Sequence, residues 1–181
     1  MQPITLTRFW HRRICEAALL VSIGIVALYF LPYFGSFDIT SSIIVTTPIL
    51  ILASVTAIVS FVSYLWIPKN TVTWAGLTVY LLLTITAAGL IYTTGGATSP
   101  FIALWMLVTV FAGIFGVFGL LPILIAISAF IASSYLAGEL GPELLVVVAF
   151  AGVIPLIASF IIWHGRGSQS DEGDGGGKAY K

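Results

Sequence analysis

The sequence predicts an all-α fold, a polytopic membrane bundle of six transmembrane helices. Three observations carry this expectation: an extreme apolar content, six apolar runs of membrane-crossing length, and basic residues confined to one side of the implied topology. Apolar residues occupy 59% of the 181 positions and charged residues only 8%, and the mean hydropathy is +1.11. Soluble globular domains do not reach these values. Seven basic and seven acidic side chains are too few to cover a soluble domain of this size. A bundle in lipid, by contrast, presents apolar side chains over most of its girth.

A helix needs about 20 mostly apolar residues to cross roughly 30 Å of hydrocarbon. The first such run extends from Cys15 to Leu31, the second from Ile43 to Ile67, and the third from Val72 to Tyr92. The fourth is Phe101 to Phe118, the fifth Leu121 to Ala137, and the sixth Leu144 to Trp163. Only Gly119 and Leu120 part the fourth from the fifth. A single helix from Phe101 to Ala137 would be about 55 Å long at roughly 1.5 Å per residue, so two helices are expected, with Pro122 placed to begin the second. The second run is long enough to require tilting, and Pro155 should kink the sixth.

The first run follows Arg8, Arg12 and Arg13, as a signal peptide would. It ends, however, in Leu28-Tyr29-Phe30-Leu31-Pro32-Tyr33-Phe34, bulky where a peptidase needs small residues, so it is expected to remain as a helix. With the N-terminus inside, all seven basic residues (Arg8, Arg12, Arg13, Lys69, Arg166, Lys178 and Lys181) fall on the cytoplasmic side of a plasma or inner membrane. The outer loops then carry only Asp38, Glu139 and Glu143. Both basic termini share a side only if the helix count is even. The expected organisation is a basic cytoplasmic N-terminus at 1–13, a six-helix domain at 14–164 and a disordered polar cytoplasmic tail at 165–181. Trp10, Trp66, Trp74 and Trp163 fall at cytoplasmic helix ends, where indoles anchor at the headgroups. Trp105 alone lies one turn inside the outer leaflet.

No Asp, Glu, Lys, Arg or His lies in the middle of any run, which removes the residues that proton-coupled pumps, ion carriers and voltage sensors require. Glu16 is the nearest case, and Arg12 and Arg13 lie one turn away as partners for an interfacial ion pair. His11 and His164 are read as interfacial side chains without a ligand-spaced thiol or carboxylate. One cysteine, Cys15, rules out an internal disulfide. No phosphate loop or nucleotide-binding pattern occurs, so neither enzymatic activity nor a nucleic-acid partner is expected, and the lipid bilayer is the principal partner. Stripes of small and hydroxyl residues, Ala53/Thr56/Ser60/Ser63 and Gly113/Gly116/Gly119, are read as helix-packing faces.

The segment between the third and fourth runs, Tyr92-Thr93-Thr94-Gly95-Gly96-Ala97-Thr98-Ser99-Pro100-Phe101, is an uncharged outer hairpin. Gly95 and Gly96 permit positive φ, Ser99 can cap the next helix, and Pro100 suits its first position. The backbone donors at that helix start could hold an electron-rich ligand oxygen, while Phe101 and Trp105, four apart, could stack on a flat ring.

Gly95-Gly96-Ala97-Thr98-Ser99-Pro100-Phe101 resembles the Gly-Gly-x-x-Asn-Pro-Phe motif in the membrane domain of RegB-type redox-sensing histidine kinases. That family is similar in having six transmembrane helices, cytoplasmic ends and the motif in the outer loop between helices three and four. Ser99 stands where the family has Asn, and these residues hold no kinase core, no phosphoacceptor His and no ATP-binding region. The resemblance implies a sensor or input module without autophosphorylating activity. It also implies a ligand site at Gly95, Gly96, Ser99, Pro100, Phe101 and Trp105, a quinone as the non-covalent ligand, a homodimer, and a partner kinase as the output. Two alternatives stand beside it. Six helices in this length is also the size of vitamin-binding subunits of energy-coupling-factor transporters, with Ala17, Ala18 and Ser22 as the docking face. The other alternative is a structural or accessory protein in which the hairpin is only a good turn.

Overall fold

The chain is already helical at Arg8, seven residues before Cys15, in a computed structural model that describes residues 8–34, 45–66 and 71–136. Beyond these stretches it describes only positions 138, 141, 146, 148, 149, 153, 157 and 161. The described residues form five α-helices and no strand. Four of the helices are long and apolar enough to cross a membrane.

Helix α1 (Arg8–Phe30) extends past the basic cluster because Arg8, Arg12 and Arg13 project from its exposed face while Ile14, Cys15, Ala18, Ser22 and Ile25 are buried. The 3-10 turn Leu31–Phe34 follows it. Helix α2 (Thr47–Leu65) has Pro48 in its first turn, and Thr46 in an extended conformation precedes it. That is the placement in which proline's missing N–H costs nothing. Helix α3 (Val72–Thr93) begins at the expected residue and ends one residue beyond the expected Tyr92.

These three helices pack against one another. The stripe Ala53, Thr56, Ser60 and Ser63 is buried, as a packing face should be. Small side chains there let α2 approach both neighbours. A Cβ on Gly89 of α3 would lie 2.7 Å from the Ile49 side chain of α2, and Thr56 meets Thr86 across the same contact at 2.9 Å. The long apolar side chains point the other way. Leu20, Ile58, Leu65 and Ile85 are each more than half exposed, the arrangement expected of helices whose outer faces meet lipid.

The fourth and fifth runs differ from expectation in where they break. Helix α4 covers only Ala103–Ala112, followed by a 3-10 turn Gly113–Phe115, and helix α5 (Val117–Leu136) starts immediately afterwards. The reversal sits at Gly116, with φ 56° and ψ −131°, a backbone region open essentially to glycine alone. Pro122 therefore lies inside α5 rather than at its start. Gly113, Gly116 and Gly119 are not a packing stripe but the turn itself. A Cβ on Gly119 would stand 2.2 Å from the Ala112 carbonyl oxygen.

Ten α-helical and three 3-10 residues span only about 20 Å, against roughly 30 Å of hydrocarbon. Tyr80, fully buried on α3 about two turns from Val72, donates its hydroxyl to the Gly119 carbonyl at 2.8 Å. It also packs its ring on Phe115 with centroids 5.2 Å apart. The backbone at the turn is thus met by a side chain of the neighbouring helix.

The sixth predicted run, Leu144 to Trp163, falls almost wholly outside the described residues. Val146, Val148, Ile157 and Ile161 within it are α-helical. Residues 1–7 of the N-terminal segment, the tail at 165–181, His164, Trp163 and the Pro155 kink also lie outside.

Candidate functional site

Gly95 and Gly96 end α3 with φ of 116° and 60°, the positive values expected of this pair. Gly96 is also needed for space, since a Cβ there would come within 3.0 Å of the Phe130 ring on α5. The hairpin is then locked by a directed chain of hydrogen bonds. Phe101 N–H donates to the Ser99 hydroxyl at 3.2 Å, Ser99 and Thr94 hydroxyls lie 2.6 Å apart, and Thr94 donates to the Leu90 carbonyl at 2.6 Å. Because Leu90 can only accept, Thr94 spends its proton there, and Ser99 is the donor between the two hydroxyls. Ser99 therefore holds the 100–102 turn rather than capping α4 as anticipated, since the N-cap of α4 is Ile102 and no side chain caps it.

Other details of the hairpin differ. Pro100 does not occupy the first α-helical position: residues 100–102 form a tighter turn, with Ile102 N–H bonded to the Ser99 carbonyl at 3.2 Å, before α4 begins. With the Phe101 and Ile102 N–H groups both engaged, the hairpin is a closed turn rather than the free donor array anticipated for a ligand oxygen.

Directly beneath the hairpin, α3 and α5 stand apart and leave a half-open cavity of about 830 Å³. Its walls explain it. Thr84 and Ala88 on α3 and Ala126 and Ala129 on α5 line it, so small side chains that would let two helices touch instead border a void. Pro122 and Ile125 line α5's side, Tyr92 and Ser133 stand toward the hairpin end, and no charged side chain lines the space. Volume and polarity match those of sites for drug-sized apolar ligands, which run to roughly 300–1,000 Å³.

Of the residues singled out by sequence, Trp105 lines this cavity and is 8% exposed. Gly96 abuts it through Phe130. Gly95, Ser99 and Pro100 build the hairpin, and half-buried Phe101 packs toward both hydrophobic clusters of the core. Sequence reasoning missed the α5 wall. The signal available was the small stripe Ala126, Ala129 and Ser133, at helical spacing opposite Thr84 and Ala88.

The end of the bundle bearing Arg8 needs a correction. His11 is not an interfacial side chain but is 4% exposed, wedged between α1 and α2. Its Nε2 lies 3.2 Å from the Ser63 carbonyl and 3.5 Å from the Cys15 sulfur, a thiol four residues along the same helix. The structural reason is the C-terminus of α2, whose last carbonyls lack helical donors, and His11 supplies one from the neighbouring helix. Arg13 and Glu16 form the expected exposed ion pair at 2.8 Å. Trp66 and Trp74 are largely exposed, as headgroup anchors should be, whereas Trp10 packs partly into the core. Ala18 and Ser22 are fully buried against the chain's own helices, and of the three residues considered as a docking face only Ala17 is partly open.

No group of three or more metal-ligating side chains occurs among the described residues. No protein-family model, no curated protein and no solved structure matches the chain.

Proposed function

We propose that the chain is a membrane-embedded sensor module for signal transduction, which takes an uncharged hydrophobic molecule, such as a quinone, from the lipid into the cavity between α3 and α5. The hairpin of Gly95, Gly96, Ser99, Pro100 and Phe101 closes the cavity's outer end, and occupancy is read as displacement of that hairpin and of α4. The single observation that carries this reading is Trp105, which stands in the first turn of α4, four residues past Phe101 of the hairpin, and lines the cavity wall. A flat ring entering between the helices would meet the indole face, where offset stacking contributes about 0.5–1.5 kcal/mol beyond area burial.

The uncharged lining supports a neutral ligand over a lipid with an ionised headgroup, because an unpaired charge there would be costly to desolvate. In this reading both termini are cytoplasmic, the protein is a multi-pass plasma-membrane protein acting as a homodimer, and the output is a separate kinase.

The test is a titration of the protein in nanodiscs with ubiquinone and menaquinone analogues, following tryptophan fluorescence in wild type, Trp105→Phe and Phe101→Ala. Saturable quenching that weakens in both variants is expected. Linear quenching indifferent to the variants would sink the quinone proposal.

A further inference from the structure

A line of buried polar groups runs along the contact between α1 and α2, separate from the cavity. His11 pairs with Ser63 at the basic end, and Ser60, Thr56 and Ser22 follow, each 0% exposed. Small side chains of this kind serve helix packing, and that alone would explain the stripe. Three atoms along it do not fit that explanation. Ser22 Oγ, Ser60 Oγ and His11 Nδ1 are buried and have no hydrogen-bond partner.

The His11 case can be worked through from its neighbours. The Ser63 carbonyl can only accept, so Nε2 carries the proton. In the neutral ring Nδ1 is then a bare acceptor facing no donor. Were the ring charged, Nδ1–H would be an unpaired donor instead, and the demand for a partner would be the same. Each orphaned group in an apolar setting costs about 1–3 kcal/mol, and buried polar atoms without protein partners are the places where ordered water sits.

We infer that the α1–α2 seam is a water-holding file that opens at the basic end beside His11 and reaches Ser22, about 16 Å along α1. Its ligand is water, held by hydroxyls at intervals of one turn or so and by the imidazole at its mouth. The positions open to that water are Ser22 Oγ, Ser60 Oγ and His11 Nδ1, whereas Thr56 adds no donor to the file because its hydroxyl proton is spent on the Leu52 carbonyl. The inference does not depend on any ligand in the cavity.

Cys15 reports on it directly, being the one cysteine in the chain, 0% exposed and 3.5 Å from His11. X-ray radiolysis produces hydroxyl radicals from bound water, and cysteine reacts with them readily. In nanodiscs, Cys15 should be oxidised at doses that also modify the exposed cysteine of an Arg8→Cys, Cys15→Ser protein. The yield should fall several-fold in Ser60→Ala and in Ser22→Ala, and both variants should melt at or below the wild-type temperature. An unoxidised Cys15 in wild type, with both alanine variants melting higher, would mean a dry seam and would overturn the inference. Oxidation undiminished in both variants would also overturn it, because these hydroxyls would then hold none of the water.

Discussion

The hydroxyls of Thr94 and Ser99 face each other at 2.6 Å, and through them the first backbone N–H past Pro100 is tied to the last turn of α3. Each hydroxyl donates once and accepts once, so removing either leaves a buried partner unmet. Ser99→Ala and Thr94→Val should each destabilise the protein by about 1–3 kcal/mol. The double variant should cost less than the sum, because the two act as one network. Thermal unfolding in detergent would measure all three, and strict additivity would mean that the relay is not coupled.

Tyr80→Phe removes only the oxygen that meets the Gly119 carbonyl. The ring contact with Phe115 remains, so the expected loss of about 1–3 kcal/mol belongs to the hydrogen bond alone. A melting temperature equal to wild type would show that the carbonyl is satisfied in another way.

Gly116→Ala should be more damaging than a typical surface change. It forces a side chain onto a backbone region that costs about 1–3 kcal/mol for residues other than glycine. Gly119→Ala should be worse still, because its Cβ would meet the rigid Ala112 backbone rather than a flexible side chain. The yield of folded, monodisperse protein by size-exclusion chromatography orders wild type and the two variants, and Gly24→Ala, which meets open space, is the control.

Ala126→Leu places extra methyl groups in the space between α3 and α5. Filling a void of this kind commonly adds about 0.5–2 kcal/mol. The variant should therefore melt higher than wild type while losing saturable ligand quenching. A lower melting temperature would show that the two walls already touch at this position.

The long elements were legible in the sequence because hydrophobic length and proline or glycine punctuation are local signals. Val72 as the start of α3, the positive φ of Gly95 and Gly96 and the buried face of α2 all follow from residue types read in place. The α4–α5 break was misplaced because Pro122 was read as an initiator. A proline tolerated within the early part of a helix and a glycine forced by backbone geometry look alike until the close approach of Ala112 and Gly119 is known. His11 was read as interfacial because its partner, the Ser63 carbonyl, is 52 residues away. The hairpin half of the candidate site was visible as a motif. The α5 wall was not, since small residues at helical spacing read the same whether they border a contact or a void.

The shortness of α4 bears on how the chain enters the membrane in the first place. A ribosome delivers α3 before α4, so Tyr80 is already in the bilayer when the Gly116 turn emerges. The turn can then be met by its hydroxyl partner as it leaves the translocon. α4 is too short to be held in lipid by itself, and it should partition together with α5 as one helical hairpin docking onto α3. The order of the segments along the chain thus doubles as an assembly order, in which each irregular stretch of backbone arrives after the side chain that satisfies it.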